Sequence, residues 1–402
     1  MSLPPSPIAQ PTFASPFQRL ADLLAPFQPG RAPINMTVGE PRHPVPGFVA
    51  PVLARETDGF GRYPAIKGTD AFRKAVGAWL DRRYGLSGAV DVERGILPLN
   101  GSREGLFYAA LEARRRFSRP VERPAILLPN PFYQAYAAGA VAAGCEPVML
   151  DAGPETGFLP DLDALPDELL DRTVALYYAS PANPQGAVAS RADWLKVIAK
   201  ARAHGFRLFA DECYSEIYRG EAAPDGVLAA AATTAEGFAG VVTFNSLSKR
   251  SNLPGLRCGF AAGDVDFLER WVAFRNMAAP QVPTPLQAVA VAAYGDEAHV
   301  IENRRLYDAK FAAAERILGS KFGSVTPAGG FFLWLDVSRH GGGEAAALKL
   351  WREAGVRSIP GGYLSAEGPD GTNPGERYLR LALVDSLALT EEALGRILET
   401  LG

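Results

Sequence analysis

The chain has 402 residues, 48% of them hydrophobic, enough to bury one large core and a smaller one, so two globular domains are expected. A net charge of -3 offers no broad basic face, which argues against nucleic acid or an anionic lipid surface as a partner. The three cysteines (Cys145, Cys213, Cys258) and four histidines (His43, His204, His299, His340) show no metal-ligand spacing, so neither a zinc site nor a histidine-based triad is expected.

The first twenty residues, MSLPPSPIAQPTFASPFQRL, carry early prolines and no continuous apolar run, so they do not read as a signal peptide. No later stretch of about 18 apolar residues reads as a membrane span, and a cytoplasmic location is expected. From residue 102 onward, helix-like segments alternate with short apolar runs. The runs are AILL (125–128), VALYY (174–178), RLFA (207–210) and VVTF (241–244). The helical segments include REGLFYAALEARRRF, FYQAYAAGAVAAG and RADWLKVIAKARAHG, the last closing on Gly205 as a C-cap would. That alternation predicts an α/β fold with a mostly parallel sheet covered on both faces. An alanine-rich helical pattern follows over 284–318, interrupted near Gly295. The tail then reads strand (GGFFLWLDV), helix (EAAALKLWREAG), strand (YLRLALV) and helix (TEEALGRILETL), a small α+β domain. The Gly/Pro-rich stretch GPDGTNPGE at 368–376 reads as a surface loop.

In open parallel sheets, ligands bind beyond the carboxyl ends of the strands, so the residues directly after each apolar run carry the chemistry. VALYYA leads into SPANPQG, RLFA into DECYSEIY, and VVTF into NSLSKRSNLPGLRCG. These stretches offer an amide, a carboxylate, and a lysine with an arginine eight positions later. A pyridoxal 5'-phosphate (PLP) site requires such parts: a lysine for the imine, an acid for the pyridinium nitrogen, and donors for the phenolic oxygen and phosphate.

These motifs resemble the class I aminotransferases of the fold-type I PLP superfamily, with matches spread from Gly39 to Arg380 and SLSKRSNLPGLRCGF the most specific. The resemblance implies a large PLP-binding domain whose mostly parallel sheet has seven strands in α/β/α layers. It also implies an N-terminal segment (1–45) packing with the small domain, the large domain over 46–290 and the small α+β domain over 291–402. Lys249 would form the imine and then act as the base that moves the proton at the substrate Cα. A lone lysine is usually a solvated surface group; its motif sets this one apart.

By the same resemblance, Asp211 pairs with the ring nitrogen, where an Asp after a strand otherwise serves as a helix N-cap. Tyr214 and Asn183 reach the phenolic oxygen, although Gln185 stands where the family's threonine is usual. Tyr133 stacks on the ring. Ser102, Arg103, Ser246, Ser248 and Arg257 surround the phosphate, with Tyr63 reaching it from the neighbouring subunit of a homodimer. Arg380 and Gly39, with Asn183, hold the substrate carboxylate. Arg380, flanked by Leu379 and Leu381, should face one side of its strand alone.

A narrower resemblance, to succinyldiaminopimelate aminotransferases, rests on VGEPRHPVP, LPLNGSREGLF, PNPFYQAY, DECYSEIY and SLSKRSNLPGLRCGFAAGD. It implies glutamate as amino donor and N-succinyl-2-amino-6-ketopimelate as acceptor, in lysine biosynthesis. Arg42, His43 and Arg275 are then candidates to meet the distal carboxylates. The stretch FRNMAAPQVPTPLQ departs from that subgroup by lacking an RTYHG-like run. Aspartate- or aromatic-type aminotransferases and PLP β-lyases are the alternatives. A non-catalytic effector module would need a DNA-binding domain, and fewer than forty residues precede VGEP.

Overall fold

The computed structural model describes residues 15–368 and 370–402. After a two-residue strand β1 (Ile34–Asn35), seven strands build the main sheet. They are β2 (Ile96–Leu99), β3 (Ala125–Asn130), β4 (Glu146–Asp151), β5 (Thr173–Ala179), β6 (Arg207–Asp211), β7 (Val241–Ser246) and β8 (Gly259–Gly263). Their order is β2-β8-β7-β6-β5-β3-β4. The β4, β3, β5, β6 and β7 strands run parallel, and β8 is antiparallel to both of its neighbours.

Side chains alternate across this sheet, and each face buries its own apolar set. Ile126, Leu128, Tyr177, Phe209 and Phe244 pack on one face against helices Ser102–Arg116, Gln134–Ala142 and Val265–Ala278. Leu127, Leu176, Leu208, Ala210 and Phe260 pack on the other against helices Asp70–Tyr84, Arg191–His204 and Thr284–Gly295. The helix predicted from RADWLKVIAKARAHG spans Arg191–His204. It opens on a capping box between Ser190 and Asp193 and closes on Gly205 at φ 70°. The break expected near Gly295 separates helix Thr284–Gly295 from the next, Ala298–Phe322.

A second, three-stranded antiparallel sheet is formed by β9 (Phe332–Asp336), β11 (Ile359–Pro360) and β12 (Tyr378–Ala382), in the order β11-β12-β9. Strand β10 (Val356–Arg357) pairs in parallel with β1, which ties the N-terminal stretch to this region. Leu20 and Leu24 of helix Pro16–Leu24 add to the same attachment by packing with Ile359 and Tyr363. Leu379 and Leu381 point into an apolar cluster with helices Ala298–Phe322 and Leu387–Leu401, so Arg380 between them faces the opposite way. Residues 1–14 of the expected N-terminal segment, and Pro369 of the expected 368–376 loop, lie outside the described residues. Among those described, no helix is long and apolar enough to cross a membrane.

Candidate active site

Four parallel strands end along one edge of the main sheet, and each delivers an expected residue there. β3 leads to Tyr133 and β5 to Asn183; β6 ends on Asp211 and leads to Tyr214; β7 ends on Ser246. The Ser246 hydroxyl accepts from the Ser248 amide at 3.1 Å and so caps the single-turn helix Leu247–Arg250. That cap fixes the turn on which Lys249 stands. The small sheet contributes Arg380 from β12, and the stretch after β1 contributes Gly39.

Apart from Ser246 and Ser248, these groups share a cavity of about 240 Å³. Its wall includes Gly39, Ser102, Arg103, Tyr133, Asn183, Asp211, Tyr214, Lys249 and Arg380, together with Phe17, Phe132 and Leu364. A hollow of about 280 Å³ elsewhere is lined by Asp161, Asp163, Lys196 and Lys200. Those side chains pair with one another, and none of the expected site residues is among them.

Lys249 Nζ donates to the Gly39 carbonyl oxygen at 2.5 Å and forms no ion pair among the described residues. It lies 5.4 Å from the Phe331 ring centroid and 5.9 Å from that of Tyr214. Burial in this largely aromatic surround pulls the ammonium down to about 8, because desolvation penalises the charged form. A side chain on Gly39 would run into the Phe332 ring, so only glycine lets this backbone come so close.

Arg380 is buried, with 6% of its surface exposed, and among the described residues it too has no carboxylate partner. Its Nη2 donates to the Thr37 carbonyl at 2.8 Å and its Nη1 stands 3.5 Å from Asn183 Oδ1. Its Nε has no partner among the described residues, and its guanidinium lies 4.5 Å over the Phe332 ring. Burial without a counter-ion pulls the group down to about 10. A buried guanidinium with unspent donors is a receptor for an anion that arrives from outside.

Asp211 Oδ2 accepts from the Tyr136 phenol at 2.6 Å, and Oδ1 accepts from the Cys213 amide at 3.1 Å. Tyr133 accepts from Arg103 Nε at 2.5 Å. Tyr214 packs edge-on against Phe331 and Phe332, and burial pushes its phenol well above the usual range, so it remains a donor.

The helix Ser102–Arg116 begins at Gly101, φ 84°, with no side chain capping its first turn. Arg257 donates to the Asn100 carbonyl at 3.2 Å, and a Cβ on Gly101 would collide with its guanidinium. A helix N-terminus with free amides, held beside an arginine, is built for a phosphate-sized anion. Ser246, whose hydroxyl is 2.9 Å from that of Ser248, lies with Ser248 and Arg257 beside the cavity, not on its wall. The residues present therefore fit PLP: an amine with a lowered pKa, a carboxylate held at both oxygens, aromatic walls and an anion cradle.

Tyr63 stands apart, 98% exposed on the loop that precedes helix Asp70–Tyr84. The expectation for the distal carboxylates needs correcting. Arg275 is buried in an ion pair with Glu104 at 2.5 Å, Arg42 is paired with Asp385 at 2.5 Å, and His43 is bonded to Asn303 and to Lys310 Nζ. None of the three lines the cavity, because each is spent on a partner from a distant part of the chain. Reasoning from sequence also missed Tyr136 and Phe17. The only signal for Tyr136 was its three-residue spacing from Tyr133.

The fold and site define a PLP-dependent enzyme of fold-type I. The class I and II aminotransferase family model matches residues 31–397, and the chain belongs to that family. An LL-diaminopimelate aminotransferase of Moorella thermoacetica is 31% identical over 379 residues, 92% of this chain and 91% of its own. The crystal structure of an aminotransferase from Neisseria meningitidis matches with a TM-score of 0.91 at 36% identity, covering 97% of this chain and 98% of that one. A probable N-succinyldiaminopimelate aminotransferase from Thermus thermophilus matches with a TM-score of 0.81 at 26% identity, covering 96% of this chain and all of that one. The protein is thus an aminotransferase that acts on small amino and 2-oxo acids.

Proposed function

We propose that this enzyme moves the amino group of glutamate to a long-chain 2-oxo dicarboxylic acid of the diaminopimelate type, N-succinyl-2-amino-6-ketopimelate, in the cytoplasmic synthesis of lysine. The observation that carries its amino-acid chemistry is the pair of cations without counter-ions, Lys249 and Arg380, on one cavity. A diaminopimelate-type acceptor is supported by the likeness to the Moorella LL-diaminopimelate aminotransferase, and the succinylated form of it by the likeness to the probable N-succinyldiaminopimelate aminotransferase of Thermus.

Bound in this cavity, PLP supplies an electron sink for the charge that develops at the substrate Cα. Arg380 binds the substrate α-carboxylate through its planar fork, with Asn183 and the Gly39 backbone beside it. Lys249 would hold the cofactor covalently and, when free as an amine, would be the base that moves the proton at the substrate Cα. Asp211 keeps the ring nitrogen protonated, while Tyr214 and Asn183 donate to the phenolic oxygen. Tyr133 forms one wall of the ring slot. Ser102, Arg103, Ser246, Ser248 and Arg257 hold the phosphate. Tyr63 completes that set from the second subunit of a homodimer, which accounts for an exposed tyrosine close in sequence to Phe60, itself 57% exposed on the short helix Thr57–Gly61. In this reading the described part of the N-terminal segment, from residue 15 to 45, packs with the small domain, 46–290 form the cofactor domain and 291–402 the small one.

One observation favours a second reading. Phe17, Phe132, Phe332 and Leu364 make part of the cavity wall apolar, and among the described lining residues the cations are Arg103, Lys249 and Arg380 alone. An aromatic or other large apolar side chain would suit it. Comparing kcat/KM for the succinylated acceptor, oxaloacetate and phenylpyruvate, with glutamate as donor, tests the two. A preference of about tenfold for the succinylated acid, near 1.4 kcal/mol in the transition state, supports the lysine-pathway reading. A preference for phenylpyruvate supports the second.

A further inference from the structure

We propose that Tyr136 is a positioning residue for the cofactor, acting through Asp211; this rests on Asp211 facing the pyridine nitrogen. The Tyr136 hydroxyl donates to Asp211 Oδ2 at 2.6 Å, within the short range of charge-assisted O–H···O bonds. The other oxygen, Oδ1, accepts from the Cys213 amide. One donor on each oxygen fixes the plane of the carboxylate and leaves the remaining lone pairs directed to the cavity. A single ring N–H is a directional donor, so that plane decides how well it is met.

The tyrosine is itself immobilised. Its ring stacks on Tyr177 with centroids 4.5 Å apart and planes 9° apart. The Tyr177 hydroxyl in turn donates to the Leu106 carbonyl at 2.5 Å, inside the helix whose N-terminus forms the anion cradle. Tyr133, the proposed ring wall, meets the Tyr136 ring edge-on at 5.5 Å and 88°. One side chain thus couples the acid, the aromatic wall and the phosphate helix. Burial, and after it the nearby Asp211, pushes the Tyr136 phenol well above its usual range, so it stays a donor throughout the working pH range. A phenylalanine would fill the same volume; the hydroxyl is what the acid requires.

The test uses cofactor labelled with nitrogen-15 in the ring, bound to the wild-type enzyme, Tyr136→Phe and Asp211→Asn. In Tyr136→Phe, PLP should bind about tenfold more weakly, the loss expected of one hydrogen bond to a charged group. The ring nitrogen should lose its proton about one pH unit lower than in wild type. With the deaza analogue of PLP, whose ring carries a carbon in place of nitrogen, Tyr136→Phe and wild type should bind alike, an equality that a packing defect would not give. Wild-type affinity and nitrogen titration in Tyr136→Phe, with both altered in Asp211→Asn, would overturn the role of Tyr136. The same tenfold deficit with the deaza analogue would also overturn it, by showing a packing effect. If Asp211→Asn leaves both readouts unchanged, the assignment of Asp211 falls, and the inference with it.

Discussion

Lys249 Nζ donates to the carbonyl oxygen of Gly39 across 2.5 Å, joining the turn after β7 to the stretch that follows β1. The bond holds the amine in the cavity on a neutral acceptor. Burial then lets the lysine titrate well below its usual range, which a proton-shuttling amine needs.

That relationship sets a pH dependence. Burial lowers the Lys249 ammonium to about 8, so the reactive free amine predominates above that pH and falls about tenfold per unit below it. The rate at which apoenzyme takes up PLP covalently, followed by absorbance, should therefore climb to about pH 8 and level off. A climb that continues beyond pH 10, as for an ordinary solvated lysine, contradicts it.

Arg380→Lys should lower kcat/KM for every amino donor by at least about tenfold, because a point charge cannot reproduce the two-pronged contact with a carboxylate. PLP affinity should be nearly unchanged, since the phosphate cradle at Gly101 and Arg257 is separate. Steady-state kinetics and a cofactor titration on the same variant check both halves.

Gly101→Ala should weaken PLP binding and destabilise the protein by about 1 kcal/mol or more. The residue sits at φ 84°, and its new methyl group would push the Arg257 guanidinium from its place. Equilibrium PLP titration and thermal unfolding of the apoenzyme read the two effects.

Much of this site was legible because strand periodicity and motif position are local properties. Arg380 could be assigned a face from Leu379 and Leu381 alone, and Asp211 and Lys249 from the apolar runs just before them. Strand β8 was not legible. Its sequence, GFAAG, has weak strand character, and Gly259 is required because a side chain there would strike the Asn245 carbonyl of the neighbouring strand. Arg275 looked available because Glu104, its partner, lies 171 positions away in the chain. Tyr136 was not singled out, since nothing in NPFYQAY shows that its hydroxyl ends on Asp211.

The exposed Tyr63 and Phe60 predict that the active species is a dimer. Sedimentation at assay concentration should give twice the chain mass, and Tyr63→Ala should weaken PLP retention. A fully active monomer contradicts the shared site.

The most direct test of the central claim mixes PLP-loaded enzyme with glutamate alone and follows the cofactor absorbance while 2-oxoglutarate is measured. The wild-type enzyme should convert its cofactor to the pyridoxamine form, releasing one oxo acid per site, and Lys249→Ala, loaded with the same cofactor, should show neither change. Conversion by Lys249→Ala at the wild-type rate would contradict the assignment of Lys249 as the proton-moving base.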